Sequence, residues 1–186
     1  MNVTMLIDSS GSMNQLGSAP LDSINEFIGT LSATGRPFVV NLWHFSDKLM
    51  PMGTQSSVDG IKRLDREDYK PQGRTALYDA IGKLLKENTF EPGNTLVILT
   101  DGEDTCSRRE KASTVKTRLE ALQTSGVRVV YLGANQDPLA VADSVGIRES
   151  IGYDYSPAGI TQIMRQMSAS ICEIDSGSPS IIDSVP

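Results

Sequence analysis

The chain has 186 residues, enough for one domain around a single sizeable core, and its 39% hydrophobic and 22% charged residues are those of an ordinary globular protein. A net charge of −6 with scattered Lys and Arg argues against a nucleic-acid partner or an anionic membrane, because phosphate contacts need clustered cations. No apolar stretch approaches the length of a membrane helix and "MNVTMLID" lacks the basic start of a secretory signal, so a cytoplasmic location is expected.

The first predicted element is a strand, "VTMLI" (3–7), which stops at Asp8. A helical stripe follows in Leu21, Ile24, Phe27, Ile28 and Leu31, with Gly35 where it should stop. "FVVNLWHF" (38–45) is the second strand, rich in β-branched and aromatic residues. Leu77, Ala80, Ile81, Leu84 and Leu85 make a second helical stripe, and "TLVILT" (95–100) a third strand ending at Asp101. Ser107 with Glu110 fits a capping box, so "SRREK" (107–111) is expected to start the helix carrying Ala112, Val115, Leu119 and Leu122 up to Gly126. "VRVVYLG" (127–133) is the fourth strand. Ser156 and Pro157 then make a cap and first-turn pair for a last helix bearing Ile160, Ile163, Met164, Met167 and Ile171, its methionines being core filler.

Three of the four strands are apolar almost throughout rather than alternating, as parallel strands covered on both faces should be. Strand and helix in this alternation predict an α/β fold, doubly wound, with a mostly parallel central sheet flanked by helices. The expected domain is 1–171. The remainder, 172–186, ends in "SGSPSIIDSVP" and reads as a flexible tail without periodicity. Cys106 and Cys172 lie far apart without metal-type spacing and are expected to be free thiols.

In an open α/β sheet, ligands bind outside the carboxyl ends of the strands. Asp8 and Asp101 end two strands there, in "LIDSSGSMN" (6–14) and "LTDGEDT" (99–105). A third polar loop, "PQGRTALYDAI" (71–81), puts Thr75 just ahead of a helix. Asp8, Ser10, Ser12, Thr75 and Asp101 offer oxygen donors only, which suits a hard cation such as Mg²⁺, with six oxygen ligands at roughly 2.1 Å, or Mn²⁺, rather than Zn²⁺. Neutral hydroxyls leave such an ion much of its charge, so it would still seek an anionic ligand, and a carboxylate from another protein could supply it.

"DSSGS" (8–12) resembles the DxSxS motif of von Willebrand factor A domains and their metal-ion-dependent adhesion site. "GRTALYDAI" (73–81) is similar to that family's threonine loop and "ILTDGED" (98–104) to its second aspartate loop, in the same order. The likeness extends to "YLGAN" (131–135) and "GYDYSPAGI" (152–160), covers about residues 3 to 171, and is greatest to stand-alone intracellular forms in bacteria and their phages. It implies that Asp8, Ser10, Ser12, Thr75 and Asp101 are a complete metal set. It also implies a non-enzymatic, Mg²⁺-dependent module that grips an Asp or Glu of a protein partner, in an assembly or chaperone-like role.

The alternative is a Mg²⁺-dependent phosphoryl-transfer enzyme, since an Asp ends the first strand of an α/β fold. Against it, a haloacid-dehalogenase-like phosphatase would carry a second acid where Ser10 stands, and no GxxxxGK[ST] loop is present. Thr75 has an N-cap as its plain role, Glu103 and Asp104 that of solvated rim charges, and Asp47 follows a strand end near the rim. His44, the one histidine, and Trp43 are expected to be structural, and Cys106 an ordinary loop thiol. Glu173, Asp175 and Asp183 in or beside the tail invite weak self-association through the metal site of a second copy.

Overall fold

The apolar runs become neighbouring strands of one sheet in the computed structural model, which describes residues 1–134 and 137–175 without the side chains of 53–56 and 175. In chain order the strands are β1 (Asn2–Asp8), β2 (Val39–Phe45), β3 (Leu49–Ser57), β4 (Thr95–Thr100), β5 (Arg128–Gly133) and β6 (Glu149–Gly152). The helices are α1 (Ala19–Ala33), α2 (Leu77–Glu87), α3 (Ala112–Thr124), α4 (Pro138–Ser144) and α5 (Pro157–Asp175). The sheet order is β3-β2-β1-β4-β5-β6, with β3 antiparallel to β2 and every other pair parallel. The expected mixed α/β, doubly wound architecture is therefore the observed one.

Alternate residues of each strand feed two cores. Val3, Met5 and Ile7 face α1 and α5, meeting Ile24, Phe27, Leu31, Ile163 and Met167. Leu6, Leu96, Ile98 and Tyr131 face the opposite layer, with Leu77, Ile81, Leu84, Val115 and Leu119. Leu96, Val97, Ile98 and Leu99 are all fully buried, which explains why β4 is written as one apolar run. Each such side chain contributes about 2 kcal/mol of hydrophobic stabilisation. Packing on both faces holds the carboxyl ends of β1 and β4 in fixed register, Ile7 opposite Leu99, so the loops after them start side by side.

Three elements escape the sequence pattern. β3 is an edge strand carrying Pro51, tolerated where the backbone faces no further strand. β6 has only four residues, and α4 seven, opened by Asp137, whose carboxylate accepts the N–H groups of Leu139 and Ala140. Gly35 and Gly126 adopt positive φ as the helix stops expected of them, and the Ser156 hydroxyl accepts the Gly159 N–H at the start of α5.

The capping box at Ser107 and Glu110 does not form, and "SRREK" is not a helix start. The Asp79 carboxylate on α2 instead takes the N–H groups of Arg108, Arg109 and Glu110 at 3.0, 2.8 and 2.7 Å, holding that segment as a loop. Glu110 turns to Lys86 and Arg118, and α3 begins at Ala112. α5 runs past 171 to Asp175. Most of the expected tail, with Asp183, Ile181 and Ile182, lies outside the described residues, as does Asn135 of "YLGAN".

Candidate metal centre

Asp8 closes β1 with its side chain fully buried. Its Oδ1 accepts the Ser10 N–H at 2.7 Å and its Oδ2 the Thr100 hydroxyl at 2.6 Å, so both oxygens are aimed by neighbouring loops. The chain then turns through a 3-10 segment, Gly11–Leu16. The Ser10 and Ser12 hydroxyls stand 3.0 Å apart, and the Ser12 hydroxyl donates to Asp101 Oδ1 at 3.0 Å. Four of the five expected residues thus form one hydrogen-bonded string across the ends of β1 and β4.

Thr75 joins through its backbone. Its loop is stitched to the serine loop by Gly11 N–H donating to the Gly73 carbonyl at 3.0 Å and Gln72 N–H donating to the Ser9 carbonyl at 2.8 Å. It is tied to the Asp101 loop by Thr105, whose hydroxyl accepts the Thr75 N–H at 3.1 Å and whose N–H donates to the Thr75 carbonyl at 2.8 Å. Thr75 is 6% exposed and does not cap α2, whose N-cap position is Ala76. Gly73 permits the close approach of the loop after β2: it sits at φ +76°, and a Cβ there would come within 2.5 Å of Asp47 Oδ2.

Burial of a charge governs the electrostatics. Asp8 is pushed up from 3.8 to about 6, first by desolvation, with the nearby Asp101 charge adding to it and the Thr100 and Ser10 bonds opposing it. Asp101 Oδ2 is buried and has no hydrogen-bond partner. An orphaned carboxylate oxygen beside a second buried carboxylate is costly unless a cation meets it. The donor set of two carboxylates and three hydroxyls therefore fits a hard divalent ion. Among the described residues no three His, Cys, Asp or Glu side chains come together as a metal group, so any ion here must lean on the hydroxyls.

Two further tyrosines, outside the five expected residues, support the site. Tyr69 is 4% exposed, and its hydroxyl donates to the Asp8 carbonyl at 2.6 Å, pinning the end of β1 from beneath. Burial and the Asp8 charge hold that phenol well above its usual range. Tyr155 donates to the Ser12 carbonyl and is pushed up to about 12, first by burial and then by Asp101. Tyr69 has neither a turn residue nor periodicity to mark it, whereas Tyr153 and Tyr155 fall in "GYDYSPAGI".

Of the flanking residues, Asp104 is not a solvated rim charge: it accepts from the Ser107 hydroxyl and the N–H groups of Tyr78 and Ser107, organising its own loop. Glu103 is exposed, as a rim charge should be. Asp47 Oδ1 accepts the Arg74 N–H and the Cys106 thiol, at the rim. His44 is half-buried with its Nδ1 2.8 Å from the Ser9 hydroxyl, and burial lowers its pKa. Ser9 is 1% exposed and also donates to the Phe45 carbonyl, so this Ser–His contact is walled off from any substrate.

The sequence model of the von Willebrand factor type A domain matches residues 2–145. No curated protein matches the chain. Among solved structures, proximal thread matrix protein 1 from the mussel byssus is 15% identical over 92% of this chain and 45% of its own, with a TM-score of 0.66. That protein has also been solved with a zinc-occupied MIDAS motif. The ArnB paralog VWA2 from Sulfolobus acidocaldarius is 19% identical, covering 91% of this chain and 44% of its own, at a TM-score of 0.62. The SpRpn10 VWA domain is 13% identical over 89% of this chain and 94% of its own, at 0.60. The chain spans less than half the length of the mussel and Sulfolobus proteins, and at these identities the likeness is one of fold. Matched by the family's sequence model over most of its length and sharing its sheet and helices, the chain belongs to the von Willebrand factor type A domain family.

Proposed function

We propose that this domain is a Mg²⁺-dependent protein-interaction module whose metal ion, held by Ser10, Ser12, Thr75, Asp8 and Asp101, captures an Asp or Glu side chain of a partner. The observation that carries the reading is the buried, partnerless Asp101 Oδ2, at the end of a hydrogen-bonded string that already gathers the serine hydroxyls. Mg²⁺, or Mn²⁺ in its place, would supply an electrophilic centre that accepts the partner's carboxylate oxygen. The chain's own residues shape that centre. Ser10, Ser12 and Thr75 donate neutral oxygens, and the two aspartates balance charge, acting mainly through bound waters. Tyr69, through the Asp8 carbonyl, and Thr100, through Asp8 Oδ2, fix the carboxylate that the ion needs. No step in this reading breaks a covalent bond.

We further propose that the module works inside the cell, as a bacterial or phage protein that brings subunits of a larger assembly together. Residues 1–171 act as one unit in this reading. The test is affinity capture on the immobilised full chain in Mg²⁺ and in EDTA, with Ser12→Ala alongside and a phosphatase and ATPase screen of the same sample. Partners retained in Mg²⁺, and released by EDTA and by Ser12→Ala, are expected. The same partners in EDTA, or Mg²⁺-dependent turnover in the screen, would overturn it.

A further inference from the structure

Cations that are scattered along the sequence gather in space. A groove of about 840 Å³ lies between the loop after β2, the start of α2 and the loop before α3. It is lined by Lys48, Arg74, Lys83, Lys86, Arg108 and Arg109, six of the 17 Lys and Arg in a chain of net charge −6. Its four acids are already engaged: Asp47 accepts the Arg74 N–H and the Cys106 thiol. Asp79 holds the three N–H groups of residues 108–110, Glu110 takes Lys86 and Arg118, and Glu87 faces Lys83. Lys48, Arg74, Arg108 and Arg109 are exposed and make no ion pair with a described residue.

The groove also adjoins the metal centre by construction of the fold. Arg74 precedes Thr75, and the Thr75 carbonyl accepts the N–H groups of Thr105 and Cys106 from the loop that leads to Arg108. Asp79, which is conformationally committed to residues 108–110, thereby sets Arg108 and Arg109 on the same side as Arg74.

We infer that this groove is the second half of the binding surface and that the partner offers an acidic segment: one carboxylate for the metal ion, with further Asp or Glu residues lying along Arg74, Arg108 and Arg109. The inference rests on the metal-dependent reading above and adds the kind of partner it selects. Unpaired, exposed guanidinium groups match carboxylates geometrically and act at encounter as well as in the complex. In a protein that is acidic overall, the groove offers such a segment a local gathering of positive charge.

Fluorescence anisotropy with the full chain tests this, using two labelled peptides: hexaglutamate and a single glutamate flanked by glycines. At low salt in Mg²⁺, hexaglutamate should bind about tenfold tighter, from three exposed pairs each worth a fraction of a kcal/mol, and the advantage should fade as salt rises. The triple variant R74Q/R108Q/R109Q should lose that advantage while its calorimetric Mg²⁺ affinity, reporting a folded site, stays that of the wild type. Equal affinity of the two peptides for wild type, or an advantage that survives in the triple variant, would overturn the groove. So would displacement of hexaglutamate by an oligothymidylate of equal charge, which would mark a general polyanion site. Hexaglutamate binding that is the same in EDTA but lost in the triple variant would uphold the groove and sink the metal reading instead.

Discussion

Replacing Asp8 by Asn separates a carboxylate held for an ion from one held for the fold. Burial raises Asp8 from 3.8 to about 6. Because the folded value lies above the unfolded one, the stability linked to this group is fully present below pH 3.8 and is lost as pH rises through about 6. At 1.36 kcal/mol per pH unit, the ionised group costs the metal-free protein roughly 3 kcal/mol at neutral pH. For a chain of this size that corresponds to roughly 6–12 °C in Tm. Asn keeps the acceptor for the Ser10 N–H, and its amide group would face the Thr100 hydroxyl, which has the Gly102 carbonyl at 3.1 Å as another acceptor. Thermal melts in EDTA should therefore show Asp8→Asn above the wild type near pH 7.5, with the gap closing by about pH 4. Mg²⁺ should raise the wild-type Tm and leave the variant unmoved. A variant that melts below wild type in EDTA at both pH values would instead mean that the carboxylate stabilises the fold itself.

Tyr69→Phe removes the hydroxyl that meets the Asp8 carbonyl in a buried setting; a loss of about 1–3 kcal/mol in denaturant unfolding is expected, and an unchanged midpoint would deny that bond its role. Ser12 is exposed, so Ser12→Ala should leave the melt in EDTA within about 2 °C of wild type while weakening Mg²⁺ binding at least tenfold by calorimetry; a folding defect without a metal defect would contradict the assignment. Ser10 is buried, so Ser10→Ala should show both effects, and a variant that loses neither would remove it from the site. If the 176–186 segment supplies a carboxylate to a second copy, light scattering at high concentration should give a mass that rises with Mg²⁺ and falls on deleting those residues, whereas equal masses would exclude the contact.

The β strands at the centre of the sheet and the four long helices were legible because burial on both faces, or along one stripe, writes itself into residue choice. α2 and α3 begin at Leu77 and Ala112, where their apolar spacing begins. β3 was not legible, since an edge strand with Pro51 and Gly53 has neither an apolar run nor a clean alternation. The Ser107–Glu110 pattern misled because a distant carboxylate, Asp79, competes for the same N–H groups that a cap would use. Local sequence cannot weigh a partner 29 or more residues away.

The site divides in the same way. Asp8, Ser10, Ser12 and Asp101 could be picked out because strand ends and turn residues coincide, and β1–β4 pairing does bring them together. Tyr69 and Thr100 could not be, since what they do depends on contacts with residues 61 and 92 positions away. The basic groove was hidden for the same reason. Lys48, Arg74 and Arg108 come from three separate loops, and only the fold puts their charges on one surface.

Calorimetric titration of Mg²⁺ into the full chain and into Asp101→Ala decides whether the ends of β1 and β4 hold a metal ion. Asp101→Ala deletes the buried oxygen that lacks a partner and leaves the β1–β4 register to the apolar core around it. One Mg²⁺ per wild-type chain is expected, with a variant that keeps its circular dichroism but loses the ion. A wild type that binds no Mg²⁺, or a variant that binds it equally well, would contradict the metal assignment.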